Sequence, residues 1–176
     1  MGCCKADLSV DGKTMLLRTR EQLSDFDSVL LSCNDRQSAQ GFQIVPDLFR
    51  NAGPLAGIHA ALKATSKEAL FTVPCDLPNF SADLPRLLMS EMKPDIDVLI
   101  CRNGQGYPEP LCGIYRKRVL PVLEACLKEG ERKVMNFVRR VSWEYLDTEG
   151  RLPDKIFFNM NTPEDYRMVR KPNAEI

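Results

Sequence analysis

Leu70-Phe71-Thr72-Val73-Pro74-Cys75-Asp76-Leu77-Pro78 is the stretch whose reading decides the fold. Residues 70–73 are apolar or β-branched and suit a buried strand. Pro74 and Pro78 stop that strand and stiffen the turn after it. Ser81 then caps a helix carrying Leu84, Leu87, Leu88 and Met92 on one side. A strand that closes on a carboxylate-bearing turn and leads into an amphipathic helix is half of a βαβ unit.

The same alternation extends in both directions. Upstream, residues 14–23 predict a helix striped by Met15, Leu16, Thr19 and Leu23. Residues 28–32 and 42–45 predict strands, and Gly53-Pro54 opens a helix to about residue 64, with proline at a favourable early position. Downstream, residues 98–101 form a strand, 104–110 a loop rich in turn formers, and 111–115 an extended segment. Helices over 119–127 and 133–140 follow, then strands at 143–146 and 156–158. Thr162-Pro163-Glu164-Asp165 starts a last helix as a capping box. Strands alternating with helices predict an α/β domain, with a mostly parallel sheet covered by helices on both faces. Such sheets bind ligands beyond the carboxyl ends of their strands.

Composition sets the outer limits. A chain of 176 residues fits one domain spanning 1–176, since domains usually run to roughly 100–200 residues. Its 24 basic residues balance its 24 acidic ones, so no overall positive field draws it to nucleic acid. The seven cysteines at positions 3, 4, 33, 75, 101, 112 and 126 form no CxxC pair and sit mostly in apolar surroundings. They read as buried thiols of a reducing cytosol rather than disulfides or zinc ligands. No apolar run approaches the roughly 20 residues needed to span a bilayer, and residues 1–5 lead into a polar stretch without a signal peptide. Met1-Gly2-Cys3-Cys4 looks like the start of an acylated protein, but Ala6 stands where that signal wants Ser or Thr. The expectation is a soluble, cytoplasmic protein without a membrane partner.

Four places carry candidate chemistry. Asp76, just past a strand, suits magnesium, a hard cation that takes one or two protein oxygens plus substrate phosphates; the plain alternative is a turn aspartate capping backbone amides. In Asn51-Ala52-Gly53-Pro54-Leu55-Ala56-Gly57, Gly53 permits close backbone approach at a helix start that favours negative charge, against an ordinary loop-to-helix junction. His59, inside that helix, reads as structural. Asn159 and Asn161 flank Met160 before the last helix, so in extended chain both amides face one side; capping alone would not require them. Lys5, beside Gly2, suits a triphosphate, although a surface lysine is the commoner case.

Taken in order, these pieces resemble the molybdenum cofactor guanylyltransferase family. The resemblance runs through Met1-Gly2, Lys5-Ala6, Asp11-Gly12-Lys13-Thr14, Asn34, Asp47, Gly53-Pro54-Leu55-Ala56-Gly57, Asp76-Leu77-Pro78, Glu109-Pro110-Leu111 and Asn159-Met160-Asn161-Thr162-Pro163-Glu164-Asp165. It implies a Rossmann-like nucleotidyltransferase fold. It also implies attack of the molybdopterin phosphate on the α-phosphorus of GTP, releasing pyrophosphate, with Mg2+ at Asp76. By the same resemblance Lys5, with Gly2, contacts the triphosphate. Asn34, Asp47 and Gly53, Pro54 and Leu55 border the guanosine, and Asn159 and Asn161 line the pterin side or the metal. A molybdoenzyme or chaperone is the implied handover partner.

Two features depart from the family pattern. Family members open with a strand and a loop reading roughly Leu-Ala-Gly-Gly-x-Ser-x-Arg-Met-Gly, whereas this sequence starts at the final Met-Gly, without the first strand and phosphate loop. The acidic residue that usually precedes the lysine is Cys4. The expected explanation is a start upstream of Met1; a truncated relative, or a loop supplied by another chain, are the alternatives. A cytidylyltransferase, or a cofactor-binding module without triphosphate chemistry, are the competing functions.

Overall fold

The computed structural model describes residues 7–34, 39 and 41–170. Asp11 and Gly12 both take positive φ, 51° and 78°. Two such residues make the tight turn that matches strand twist, so β1 (Ser9–Val10) folds back antiparallel on β2 (Lys13–Thr14). The sequence reading passes over this hairpin, although Asp-Gly is its standard signal. Thr14 then caps α1 (Met15–Gln22), its hydroxyl accepting from the Leu17 amide at 3.2 Å. Met15, Leu16, Thr19 and Leu23 are the buried stripe, as the 3.6-residue period requires.

Two short strands, β3 (Leu30–Ser32) and β4 (Gln43–Val45), pair in parallel. The first begins two residues later than the strand expected over 28–32. Before α2 (Pro54–Ala64), Asn51 (φ 58°) and Gly53 (φ 65°, ψ −154°) turn the chain sharply. The Gly53 conformation is essentially restricted to glycine. Next come β5 (Ala69–Thr72), α3 (Asp83–Glu91), β6 (Val98–Arg102), β7 (Pro108–Arg116), α4 (Leu120–Lys128), α5 (Val134–Val138) and β8 (Trp143–Asp147). Finally, α6 (Pro163–Arg170) starts at a true capping box. The Thr162 hydroxyl accepts from the Asp165 amide at 3.1 Å, and the Asp165 carboxylate accepts from the Asn161 and Thr162 amides at 2.9 and 2.8 Å.

β5, β7, β6 and β8 form a four-stranded sheet in that order. β7 runs antiparallel to both neighbours, whereas β6 and β8 are parallel. Three of the four strands thus point one way. The α/β architecture that the alternation predicts is present, with β7 as the one antiparallel strand of this sheet, and among the described residues the β3–β4 pair is not hydrogen-bonded to it. An antiparallel β7 is explained by its short connection: the turn after β6 leaves no room for a crossover helix, so the chain returns directly.

Alternation along β6 and β7 divides the core. Val98, Ile100 and Tyr115 pack against Leu55, Ile58 and Leu62 of α2, Leu123 and Cys126 of α4, and Phe137 of α5. Leu99, Cys101, Cys112 and Ile114 face the other way, against Leu84 and Leu88 of α3, Leu23, Leu77, Ile156 and Phe157. Helices therefore cover both faces. Residues 154–157 form a 3-10 turn, not the strand expected over 156–158. Ile156 and Phe157 are both buried in succession, which a one-sided strand forbids and a turn permits. Among the described residues no helix is long and apolar enough to cross a membrane.

Candidate active site

Asp76 lies four residues beyond β5 and is half-buried. Its turn is fastened to the chain's last loop at two points. The Met160 amide donates to the Asp76 carbonyl at 2.9 Å, and the Asn79 side chain donates to the Lys155 carbonyl at 3.1 Å. Between these bonds Leu77 and Phe80 pack with Ile156 and Phe157. Met160 is fully buried while Asn159 is half-buried and Asn161 exposed. The apolar side chain between the asparagines is the anchor of this segment, packed with Val10 and Met15. Two motifs more than 80 residues apart in sequence thus meet through a backbone hydrogen bond, and its span explains why no local pattern reveals it.

From the other side α1 holds the same turn. The Arg18 guanidinium donates to the Pro78 carbonyl at 3.3 Å and to the Asp11 carboxylate at 3.2 Å. Gln22, one helical turn on, accepts from the Ala82 amide at 3.1 Å. Neither residue stands out in the sequence, since polar residues on a helix usually face water.

A second cluster gathers at the ends of β3 and β4. Asp47 accepts from the Ser32 hydroxyl at 2.6 Å and from the Asn34 side-chain amide at 3.3 Å, and its own amide donates to the Asn34 side-chain oxygen at 2.8 Å. Gly57, in the first turns of α2, faces this cluster so closely that an added Cβ would lie 2.8 Å from the Ser32 Oγ. Asn34 and Asp47 are therefore held together beside Gly57, in the helix that the Gly53-Pro54-Leu55 turn opens. Leu55 points its side chain into the core, so only its backbone can face a ligand there. The sequence reading omits Ser32; the available signal is a small polar residue closing an apolar strand. Gly2 and Lys5, like Cys3 and Cys4, lie outside the described residues.

The remaining chemistry is excluded or redirected by burial. Cys33, Cys101, Cys112 and Cys126 are free thiols. Burial pushes the Cys101 thiol up to about 12 and the Cys112 thiol well above its ordinary range, the second helped by Cys101, Glu109 and Asp76. Neither serves as a thiolate nucleophile. His59 is fully buried against Phe49, edge to face at 5.1 Å, and burial lowers its pKa; it is a neutral core group. Among the described residues no group of three or more His, Cys, Asp or Glu side chains is arranged to hold a metal ion. A single protein carboxylate is a donor suited to magnesium carried largely by substrate phosphates, not to a resident zinc.

Residues 1–144 match the MobA-like NTP transferase domain family. Over 165 residues the chain is 35% identical to the molybdenum cofactor guanylyltransferase of Vibrio atlanticus, spanning 92% of this chain and 84% of that protein. The probable molybdenum cofactor guanylyltransferase of Pelotomaculum thermopropionicum is 35% identical over 177 residues, spanning 97% and 85%. This chain belongs to the MobA-like NTP transferase family. It is thus a nucleotidyltransferase, an enzyme of the class the motifs imply. Among solved structures, molybdopterin-guanine dinucleotide biosynthesis protein A from Archaeoglobus fulgidus superposes with a TM-score of 0.81 at 27% identity, covering 96% of this chain and 90% of that one. The 2-C-methyl-D-erythritol 4-phosphate cytidylyltransferase of Thermus thermophilus superposes at 0.72 with 15% identity over 94% and 92%, a likeness of fold alone.

Proposed function

We propose that this MobA-like transferase moves GMP from GTP to molybdopterin, working as one nucleotidyltransferase domain. An oxygen of the molybdopterin phosphate attacks the α-phosphorus of GTP. The bond from that phosphorus to the bridging oxygen of the β-phosphate breaks, and pyrophosphate leaves with the electron pair. The attacking phosphate is already anionic at neutral pH, so no general base is needed and the protonated thiols have no covalent part. The contribution required of the chain is positioning and charge compensation.

The observation that supports this reading is the backbone hydrogen bond from Met160 to Asp76, which joins the segment carrying the two asparagines to the turn carrying the carboxylate. Asp76, with the Asn161 amide, would hold Mg2+. Bound there, the cation would supply charge neutralisation at the phosphoryl oxygens. Lys5, with Gly2, would contact the triphosphate. Asn34 and Asp47, fixed by Ser32, would border the guanosine, and the Gly53-Pro54-Leu55 turn would offer the amino end of α2. Asn159 would line the acceptor side. The cytoplasm is the compartment proposed for this reaction, with a molybdoenzyme or its chaperone receiving the product.

Pyrophosphate release tests the assignment, measured with molybdopterin and Mg2+ and with GTP and CTP side by side. GTP is expected to be used at least tenfold more efficiently. Equal use of CTP would overturn the guanylyl assignment, and no release with either nucleotide would overturn the transferase reading.

A further inference from the structure

Glu109-Pro110-Leu111 is a matched segment to which the proposed reaction gives no role. Its placement is distinctive. The β6–β7 register jumps from Ile100 opposite Gly113 to Cys101 opposite Glu109, so residues 110–112 bulge out and Glu109 is set directly across from Cys101. Cross-strand partners point to the same face. Cys101 lies in the core cluster that also holds Leu77, Ile156 and Phe157, the residues that join the Asp76 turn to the segment before Asn159, and Glu109 and Asp76 both act on the Cys112 thiol of that cluster. Glu109 therefore looks toward the proposed acceptor side.

Its carboxylate is also held in a fixed direction. Asn103 accepts the Gln105 and Tyr107 amides on its side-chain oxygen at 3.1 and 3.0 Å. That fixes its side-chain NH2, which donates to the Glu109 Oε1 at 3.0 Å. Asn103 is the partner of this carboxylate among the described residues, and no cation there pairs with it. Burial raises the Glu109 pKa against the single hydrogen bond that lowers it. A half-buried carboxylate braced by one neutral amide is an expensive arrangement for structure alone, since glutamine would fill the same space without the charge. It suits a ligand that brings two parallel donors, as a bidentate pair does.

We propose that Glu109 is a specificity-determining residue that accepts hydrogen bonds from the ring N–H and exocyclic amine of a 2-amino-4-oxopyrimidine, the edge presented by the acceptor's pterin. The inference rests on the guanylyltransferase reading. Guanine presents the same edge, but the residues proposed to border it are at the ends of β3 and β4, whereas Glu109 belongs to β7. A phosphate would be repelled by this charge.

The test is Glu109→Gln in the full chain, which keeps the size and the bond to Asn103 while removing the charge and turning one acceptor into a donor. The molybdopterin KM is measured at saturating GTP–Mg2+. The affinity of 6-hydroxymethylpterin is measured by its fluorescence, and GTP–Mg2+ affinity by calorimetry. Hydrogen bonds to a charged group correspond to a loss of about tenfold to a hundredfold. That loss is expected in the molybdopterin and pterin constants, with GTP affinity changed less than twofold. Acceptor constants within twofold of the parent overturn the proposal, as does a loss confined to GTP, which would place Glu109 on the guanine side. If Glu109→Gln does not fold, Asn103→Ser releases the carboxylate without altering its charge. It is expected to raise the acceptor KM about threefold, and no change overturns the proposal. A parent chain that binds the pterin probe but transfers no GMP removes the guanylyltransferase reading. One that transfers GMP normally while Glu109→Gln matches it removes only this inference.

Discussion

Gly57→Ala is the substitution whose effect on the proposed nucleotide side can be worked from distances. Within a helix alanine is favoured over glycine by about 0.8–1.0 kcal/mol. Against that, the new Cβ would lie 2.8 Å from the Ser32 Oγ and 3.2 Å from the Ser32 Cβ, and overpacking of this kind costs roughly 1–3 kcal/mol. The net destabilisation is therefore small, on the order of 0–2 kcal/mol. The cheapest relief is rotation of Ser32 about its Cα–Cβ bond, which takes the hydroxyl off Asp47 and breaks the 2.6 Å hydrogen bond. Binding should suffer more than folding. Releasing an exposed bond of this type loosens Asp47 by about 1.4 kcal/mol, equivalent to a tenfold weaker GTP. Urea denaturation gives the first quantity and calorimetry with GTP–Mg2+ the second. The double variant Ser32→Ala/Gly57→Ala should recover stability but not affinity. A folded Gly57→Ala whose GTP affinity stays within twofold of the parent would refute the assignment of Asp47 to the nucleotide.

Other expectations follow from the same geometry. Asp76→Ala should lower metal-dependent turnover by about 100-fold or more, since removal of a preorganised electrostatic contact usually costs this much, while the melting temperature stays close to the parent's; near-normal turnover would discredit the metal assignment. Lys5→Ala should mainly raise the GTP requirement, by weakening binding common to substrate and transition state, as steady-state kinetics would reveal. His59→Leu should remain active. Because burial lowers the His59 pKa in the folded protein, its share of stability is present above its unfolded pKa, about 6.5, and is lost as pH falls below it. Replacement should therefore flatten the decline in stability between pH 7 and 5, measured by denaturation at each pH.

Much of the fold is legible in the sequence because local chemistry dictates it. Thr14, Pro54 and Thr162 mark helix starts that the structure places within a residue, and the apolar runs at 70–73 and 98–101 become strands of the four-stranded sheet. What the sequence does not reveal depends on partners distant along the chain. The direction of β7 is set by its pairing with both β5 and β6, and an extended run of residues carries no direction. Residues 156–158 suit a strand by composition, yet Asp154 accepts from the Gly104 amide at 2.8 Å and draws the segment into a 3-10 turn. The candidate site divides in the same way. Asp76, Asn34, Asp47, Asn159 and Asn161 stand out by residue type and order. Ser32, Arg18, Gln22 and Asn103 are ordinary polar residues until the fold supplies Asp47, Pro78, Ala82 and Glu109 as their partners.

The account depends on Asp76 and Asn161 acting on the same reacting phosphates. A double-mutant cycle in kcat/KM for GMP transfer, using Asp76→Asn, Asn161→Ala and both together, measures that directly, because groups working as a unit are non-additive. The double variant is predicted to fall within about tenfold of the weaker single variant. A double variant whose loss equals the product of the two single losses would show that the residues act independently, and would contradict a shared transferase centre.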